Sequence, residues 1–231
     1  NVTVDTGLPS VSFNAISDDN VLNAVEKGQD LRVSGTSANL AEGTVVAVTL
    51  NGKNYTATTA ADGTWSLTVP AADLAGLGEA NYTLSASATN GVGNSVSNTA
   101  NLLVDTALPT VTINTVAGDN VINAAEVAAG QTLSGKVANA EAGNTVTVTI
   151  GGNTYTATVQ SDLTWSVNVP ETVLTALGNG DLTVSATVTN GHGNTGTGER
   201  EIVIDASLPG LRVDTVAGDD VINSIEHTQN L

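Results

Sequence analysis

Apolar and polar residues alternate with a period of two along most of the chain, the pattern of strands with one buried face. In Thr145–Ile150, Val146, Val148 and Ile150 share one side and three threonines the other. Gly151-Gly152-Asn153 supplies turn residues, and Tyr155, Ala157 and Val159 alternate with threonines in the returning strand. Trp165, Val167 and Val169 then point one way, ending at Pro170; Leu182, Val184, Ala186 and Val188 form a further strand, and Ile202 and Ile204 the last. With strands around Val111–Val116 and Leu133–Val137, the pattern predicts seven short strands in about 100 residues. That is an all-β, seven-stranded Greek-key β-sandwich of immunoglobulin type. The Trp and Tyr residues lie in phase with the aliphatic faces and are expected in the core rather than in a sugar-stacking platform.

The whole pattern recurs 100 residues apart. Asp5-Thr6-x-Leu8-Pro9 returns as Asp105-Thr106-x-Leu108-Pro109 and as Asp205-x-x-Leu208-Pro209. Trp65 matches Trp165, Tyr55 matches Tyr155, and Asn90-Gly91-x-Gly93-Asn94 matches Asn190-Gly191-x-Gly193-Asn194. A period this long makes each copy a domain, so tandem sandwiches arranged end to end are expected. The divisions are 1–104, 105–204, and 205–231 as the start of a truncated third domain. The chain begins at Asn1 without a Met and stops a quarter of the way into the third copy, as in a fragment cut from a longer array. Two stretches break the alternation. Pro170–Gly180, with Leu174 and Leu177, predicts one helical turn crossing between sheets. The other is Asp19-Asn20-Val21-Leu22-Asn23-Ala24-Val25-Glu26, repeated as Asp119–Glu126 and Asp219–Glu226.

Composition narrows the function. Twenty-three acidic against six basic residues give a net charge of −17, which argues against nucleic acid and anionic membranes, since both call for a cationic surface. No cysteine is present, so no disulfide staples the domains. No apolar run approaches the ~18–20 residues of a membrane span, so membrane insertion is not expected. His192 and His227 occupy non-equivalent positions, replacing Val92 and Lys27, and no triad or paired-carboxylate site stands out. Catalysis is not expected, and His192 reads as a solvated turn residue.

The acidic loop carries the candidate chemistry. Strand A runs away from the N-terminal linker, so the A–B loop Asp19–Glu26 is expected beside Asp105, where the chain leaves the first domain. The next domain's D–E and F–G loops, with Asp162 and Asn190–Asn194, are expected to face that junction. Carboxylates and amide oxygens gathered there with scarcely a Lys or Arg would repel, and a hard divalent cation relieves the repulsion. Calcium, with about 6–8 oxygen ligands in flexible geometry, suits them better than magnesium, zinc or copper. The candidates are Asp19, Asn20, Asn23, Glu26 and Asp105, then Asp119, Asn120, Asn123, Glu126 and Asp205, with Asp219 and Glu226 in the third copy. Asp162 is either a ligand from the neighbouring domain or a β-turn residue. The alternative is a capping box, Asn123-x-x-Glu126 opening one short helical turn; the two roles are compatible.

Asp-x-Val-Ile-Asn-x-x-Glu after strand A, together with Asp-Thr-x-x-Pro linkers, resembles the bacterial Ig-like repeats of giant adhesins exported by type I secretion. A Salmonella adhesin and biofilm-associated and ice-binding adhesins carry similar arrays. The resemblance covers the whole chain and implies extracellular domains joined end to end, with calcium at the junctions. By position it draws ligands from Asp19, Asn23, Glu26 and Asp105, and from Asp119, Asn123, Glu126 and Asp205; Asp219, Asn223 and Glu226 would form an incomplete site. The implied role is a calcium-stiffened stalk segment, a monomer whose partners are neighbouring repeats of the same chain. The alternative is a module binding host cell-surface glycans or a receptor.

Overall fold

In the computed structural model, residues 6–214 and residues 221, 222, 225 and 227 are described. The candidates Asp219, Asn223 and Glu226 lie outside these, as does about half of the expected third copy.

The first repeat contains β1 (Ser10–Phe13), β2 (Val21–Leu22), β3 (Leu31–Ala38), β4 (Val45–Leu50), β5 (Lys53–Thr58), β6 (Thr64–Val69), a helical turn α1 (Ala71–Leu74), β7 (Ala80–Thr89) and β8 (Ser95–Val104). The second contains β9 (Thr110–Ile113), β10 (Val121–Asn123), α2 (Ala124–Ala129), β11 (Gln131–Ala138), β12 (Thr145–Ile150), β13 (Asn153–Thr158), β14 (Thr164–Val169), α3 (Glu171–Leu177), β15 (Gly180–Thr189) and β16 (Thr195–Asp205). Each repeat makes a three-stranded and a five-stranded sheet: β1-β3-β6 with β2-β8-β7-β4-β5, and β9-β11-β14 with β10-β16-β15-β12-β13. The chain is therefore all-β, with two immunoglobulin-like sandwiches.

Eight strands per repeat exceed the seven expected, and the addition falls inside the acidic loop. Val21–Leu22 pairs in parallel with Leu103–Val104, and Val121–Asn123 with Val203–Asp205. The physical reason is one apolar side chain of the loop that reaches the core. Leu22 and Ile122 are fully buried, and docking them brings the flanking backbone alongside the last strand. This short strand also covers an open edge of the five-stranded sheet.

In the first repeat one apolar cluster joins residues of both sheets, with Val33, Trp65 and Leu67 from one and Val46, Val48, Leu84 and Leu102 from the other. Burying each large aliphatic side chain contributes about 1.5–3 kcal/mol. Both tryptophans are at most 2% exposed, as their phase predicted. Each ring lies over a strand glycine. A Cβ on Gly35 would stand 2.4 Å from Trp65 Cζ2 and 1.8 Å from the Ser12 carbonyl; Gly135 meets Trp165 Cζ2 at 2.8 Å and the Thr112 carbonyl at 1.8 Å. Only glycine permits strand and indole so close. The expected turn after Pro170 is α3, anchored by buried Leu174.

The compact units are not drawn along the repeats. One holds the described residues up to Asn114 with Thr132–Val167 and Thr183–Arg200; the other holds Thr115–Gln131, Asn168–Leu182 and the described residues from Glu201. The first unit thus contains the acidic loop and exit of the first repeat together with Asn190–Asn194 of the second.

Candidate functional site

The acidic loop begins with a tight reversal. Asn20 and Asn120 take positive φ of 65° and 67°, a conformation asparagine tolerates. Their Oδ1 atoms accept the Ile16 and Val116 N–H groups. Asp18 sits at φ 62° and its counterpart Gly118 at 90°, which explains why glycine replaces it. Asp19 and Asp119 each accept, through Oδ1, the N–H two residues on. Next comes the parallel strand, and then the cap. Asn123 Oδ1 accepts the Ala125 and Glu126 N–H groups while Glu126 Oε2 accepts the Asn123 N–H, a complete capping box on α2. Asn23 and Glu26 make the same bonds on the 3-10 turn Glu26–Gly28. The helix-cap reading therefore accounts for these residues in both repeats.

Parallel pairing sets the exit of each repeat beside its loop. Leu22 pairs with Val104, and the Asp105 N–H donates to the Leu22 carbonyl at 3.2 Å, so Asp105 lies next to Asn23, as topology predicted. Asn123 pairs with Asp205 in the same way. Both linkers are pinned at their first residues. The Thr106 N–H and hydroxyl donate to Glu79, and the Ala206 N–H donates to Asn179 Oδ1.

The first exit is met by the repeat that follows it. At the first, the Asn190–Asn194 loop of the second repeat is seated on the acidic loop, within the same compact unit. Asn194 Nδ2 donates to the Asp105 carbonyl at 2.8 Å, and its Oδ1 accepts the Ala24 N–H at 2.8 Å. Ala24 opens the capped turn, so Asn194 satisfies an N–H that the cap leaves over. Asn194 is 1% exposed, a buried polar side chain with both ends of its amide paired. His192 Nδ1 lies 2.5 Å from Asp105 Oδ2; a carboxylate only accepts, so Nδ1 carries the hydrogen. His192 was expected to be solvated, and instead it binds the linker aspartate. Asp105 Oδ1 accepts the Ala107 N–H.

At the second exit Asp205 is exposed, where Asp105 is half-buried, and Asn123 is exposed where Asn23 is half-buried. Hydrogen bonds from Ser207, hydroxyl first and then N–H, hold the Asp205 carboxyl below its usual range. Asp162 does not reach outward in these contacts. Its Oδ1 accepts both the N–H and the hydroxyl of Thr164, which lower its carboxyl in the same way, as a β-turn residue would.

The hard oxygen donors suit calcium in kind. Their arrangement is less favourable, since among the described residues no three His, Asp or Glu side chains converge on a point. A cation there would have to rely largely on amide and backbone oxygens. A stacking platform for glycans has no support either, because all six aromatic side chains are buried or half-buried.

Sequence reasoning placed the Asn190–Asn194 loop at the junction but singled out neither Asn194 nor His192 within it. Asn194 belongs to a repeated motif on the loop that topology aimed at the junction, and that was a usable signal. His192 has no counterpart in the first repeat, where Val92 stands, so the repeat pattern hid it.

Residues 9–106 match a family described as bacterial Ig-like domain. Two similar solved structures each align with 96% of this chain. One concerns host cell surface retention of a 1.5-MDa bacterial ice-binding adhesin, with 30% identity, 73% of that chain covered and a TM-score of 0.56. The other is a Ca2+-stabilized adhesin that helps an Antarctic bacterium reach out and bind ice, with 33% identity, 55% of that chain covered and a TM-score of 0.60. No curated protein matches the chain.

Proposed function

As this chain belongs to the bacterial Ig-like domain family, we propose that it is a spacer segment of a secreted adhesin's stalk, holding a binding end away from the cell. The observation that carries this reading is Asn194. A buried amide that joins the linker carbonyl of one repeat to the helix-cap N–H of the same repeat serves no purpose within its own domain. It fits a chain whose task is to fix each repeat upon the last. The similar structures belong to adhesins, one of them Ca2+-stabilized. In this reading the chain works outside the cell as a monomer, its partners are the neighbouring repeats, and attachment to a host or other surface belongs to other parts of the adhesin.

Calcium enters at the second exit. Asp205, beside Asn123 on the parallel strand pair, would be its carboxylate ligand there, with amide and backbone oxygens of the Asp119–Glu126 loop supplying the rest. Bound calcium supplies positive charge among carboxylates in a chain of net charge −17. A cation that favours the ordered exit stabilises it in proportion to its concentration over Kd.

Thermal unfolding and small-angle scattering of the fragment in EDTA, millimolar calcium and matched magnesium form the test. We expect a rise of several degrees specific to calcium, absent in Asp205→Ala, and one consistent scattering profile for the paired repeats. Identical melting curves would remove calcium from the second exit. Scattering from a broad range of arrangements in every buffer would remove the spacer reading.

A further inference from the structure

We infer that the joint between the first and second repeats is closed by the second repeat's own loop, with the His192 imidazole standing where a cation would otherwise be required. The inference rests on the spacer reading above and sharpens it to one joint.

Every oxygen of the linker aspartate at this joint already accepts a hydrogen bond. Asp105 Oδ2 is taken by His192 Nδ1, Oδ1 by the Ala107 N–H, and the Asp105 carbonyl by Asn194 Nδ2. Around it Asn23 Oδ1 already accepts two N–H groups, Glu26 Oε2 accepts the Asn23 N–H, and Asp19 Oδ1 accepts the Val21 N–H. Calcium asks for about 6–8 oxygens; the loop oxygens carry these bonds in both repeats, and at this joint the His192 donor lies on the linker carboxylate itself. His192 donates to the half-buried Asp105 carboxylate, which would otherwise be costly to enclose, and Asn194 donates to the Asp105 carbonyl.

The first repeat's corresponding loop lacks this arrangement. The equivalent of His192 in the first repeat is Val92, which has no donor and is 60% exposed. Other side-chain clusters lead nowhere comparable. The Lys53–Asp73–Tyr55 group is a solvated strand-to-helix tie, and the grooves near Ser34 are shallow and polar.

The chain has no cysteine, so two spin labels placed at exposed Thr56→Cys and Thr156→Cys report the distance between repeats without interference. We expect a narrow distance distribution in EDTA that calcium leaves unchanged. His192→Val, the residue the first repeat already accommodates, should broaden it in EDTA and narrow it again in millimolar calcium. His192→Asn, which keeps a donor, should stay narrow. A melting curve of each variant confirms that both repeats remain folded. If the unsubstituted chain is broad in EDTA and narrow in calcium, the joint depends on a cation and the inference falls, while the spacer reading survives. A His192→Val chain as narrow as the parent in EDTA also overturns it, and so does one that calcium fails to narrow. A parent chain that is broad in both buffers overturns the spacer reading as well.

Discussion

Single residues in this protein are tied locally, and their titration shows it. Asp62, Asp162, Asp205 and Asp73 are all held below the usual carboxylate range, the last chiefly by the Lys53 hydrogen bond and then by Tyr55. A carboxyl depressed in the folded state contributes stability that is present above its unfolded pKa and lost as pH falls through the folded value. These groups therefore destabilise the fold only in acid, below about pH 4. Tyr55 runs the other way. Burial, then its hydrogen bond to Asp73 and that carboxylate's charge, push its hydroxyl from 10.0 to about 12. Its contribution is complete below pH 10 and disappears as pH rises toward 12. Urea denaturation across that range should show stability falling in the parent and a flatter profile in Tyr55→Phe; equal slopes would mean the tie to Asp73 is idle. The Tyr55–Asp73 tie was not visible beforehand, because position 73 is Asp in one repeat and Val173 in the other.

At the scale of elements, the period-two pattern located the strands well because one face of each is buried and the other solvated. β12, β13 and β14 begin and end within a residue or so of where the alternation does. The pattern failed at β2 and β10, which are too short to alternate and are created by one buried side chain and a partner strand distant in sequence. It also could not show that Asn123 and Glu126 bond each other rather than facing outward, since the same letters write a cap and a ligand set. Gly135 is another element-scale feature that only packing reveals. A methyl group there would overlap the Thr112 carbonyl, a backbone atom of β9 rather than the end of a flexible side chain. Gly135→Ala should cost about 3 kcal/mol or more in chemical denaturation. A loss below about 1 kcal/mol would show that β9 shifts easily.

Across the whole molecule, the 100-residue period was legible from spacing alone, and so was the meeting of acidic loop and linker, because a Greek-key path dictates which loops share a pole. The seating of Asn194 and His192 was not legible, since it depends on side-chain reach between repeats. The short parallel strand carries a further consequence, in mechanics. β10 comes from near the start of its repeat and β16 from its end, and they run the same way. Tension applied through the chain draws β10 and β16 in opposite directions along their length. Their rungs, Val121–Val203, Ile122–Ile204 and Asn123–Asp205, are then strained together instead of being opened one after another. The β12–β13 hairpin offers the contrast, because handles at Thr145 and Thr158 would unzip it from its open end. Single-molecule pulling should find the repeat stronger along its own chain direction than across that hairpin, since forced rupture follows the unfolding barrier rather than overall stability. Equal forces would show that the parallel strand bears no load. A higher force would mean that the loop first noticed for its charge is also where the repeat resists being drawn out.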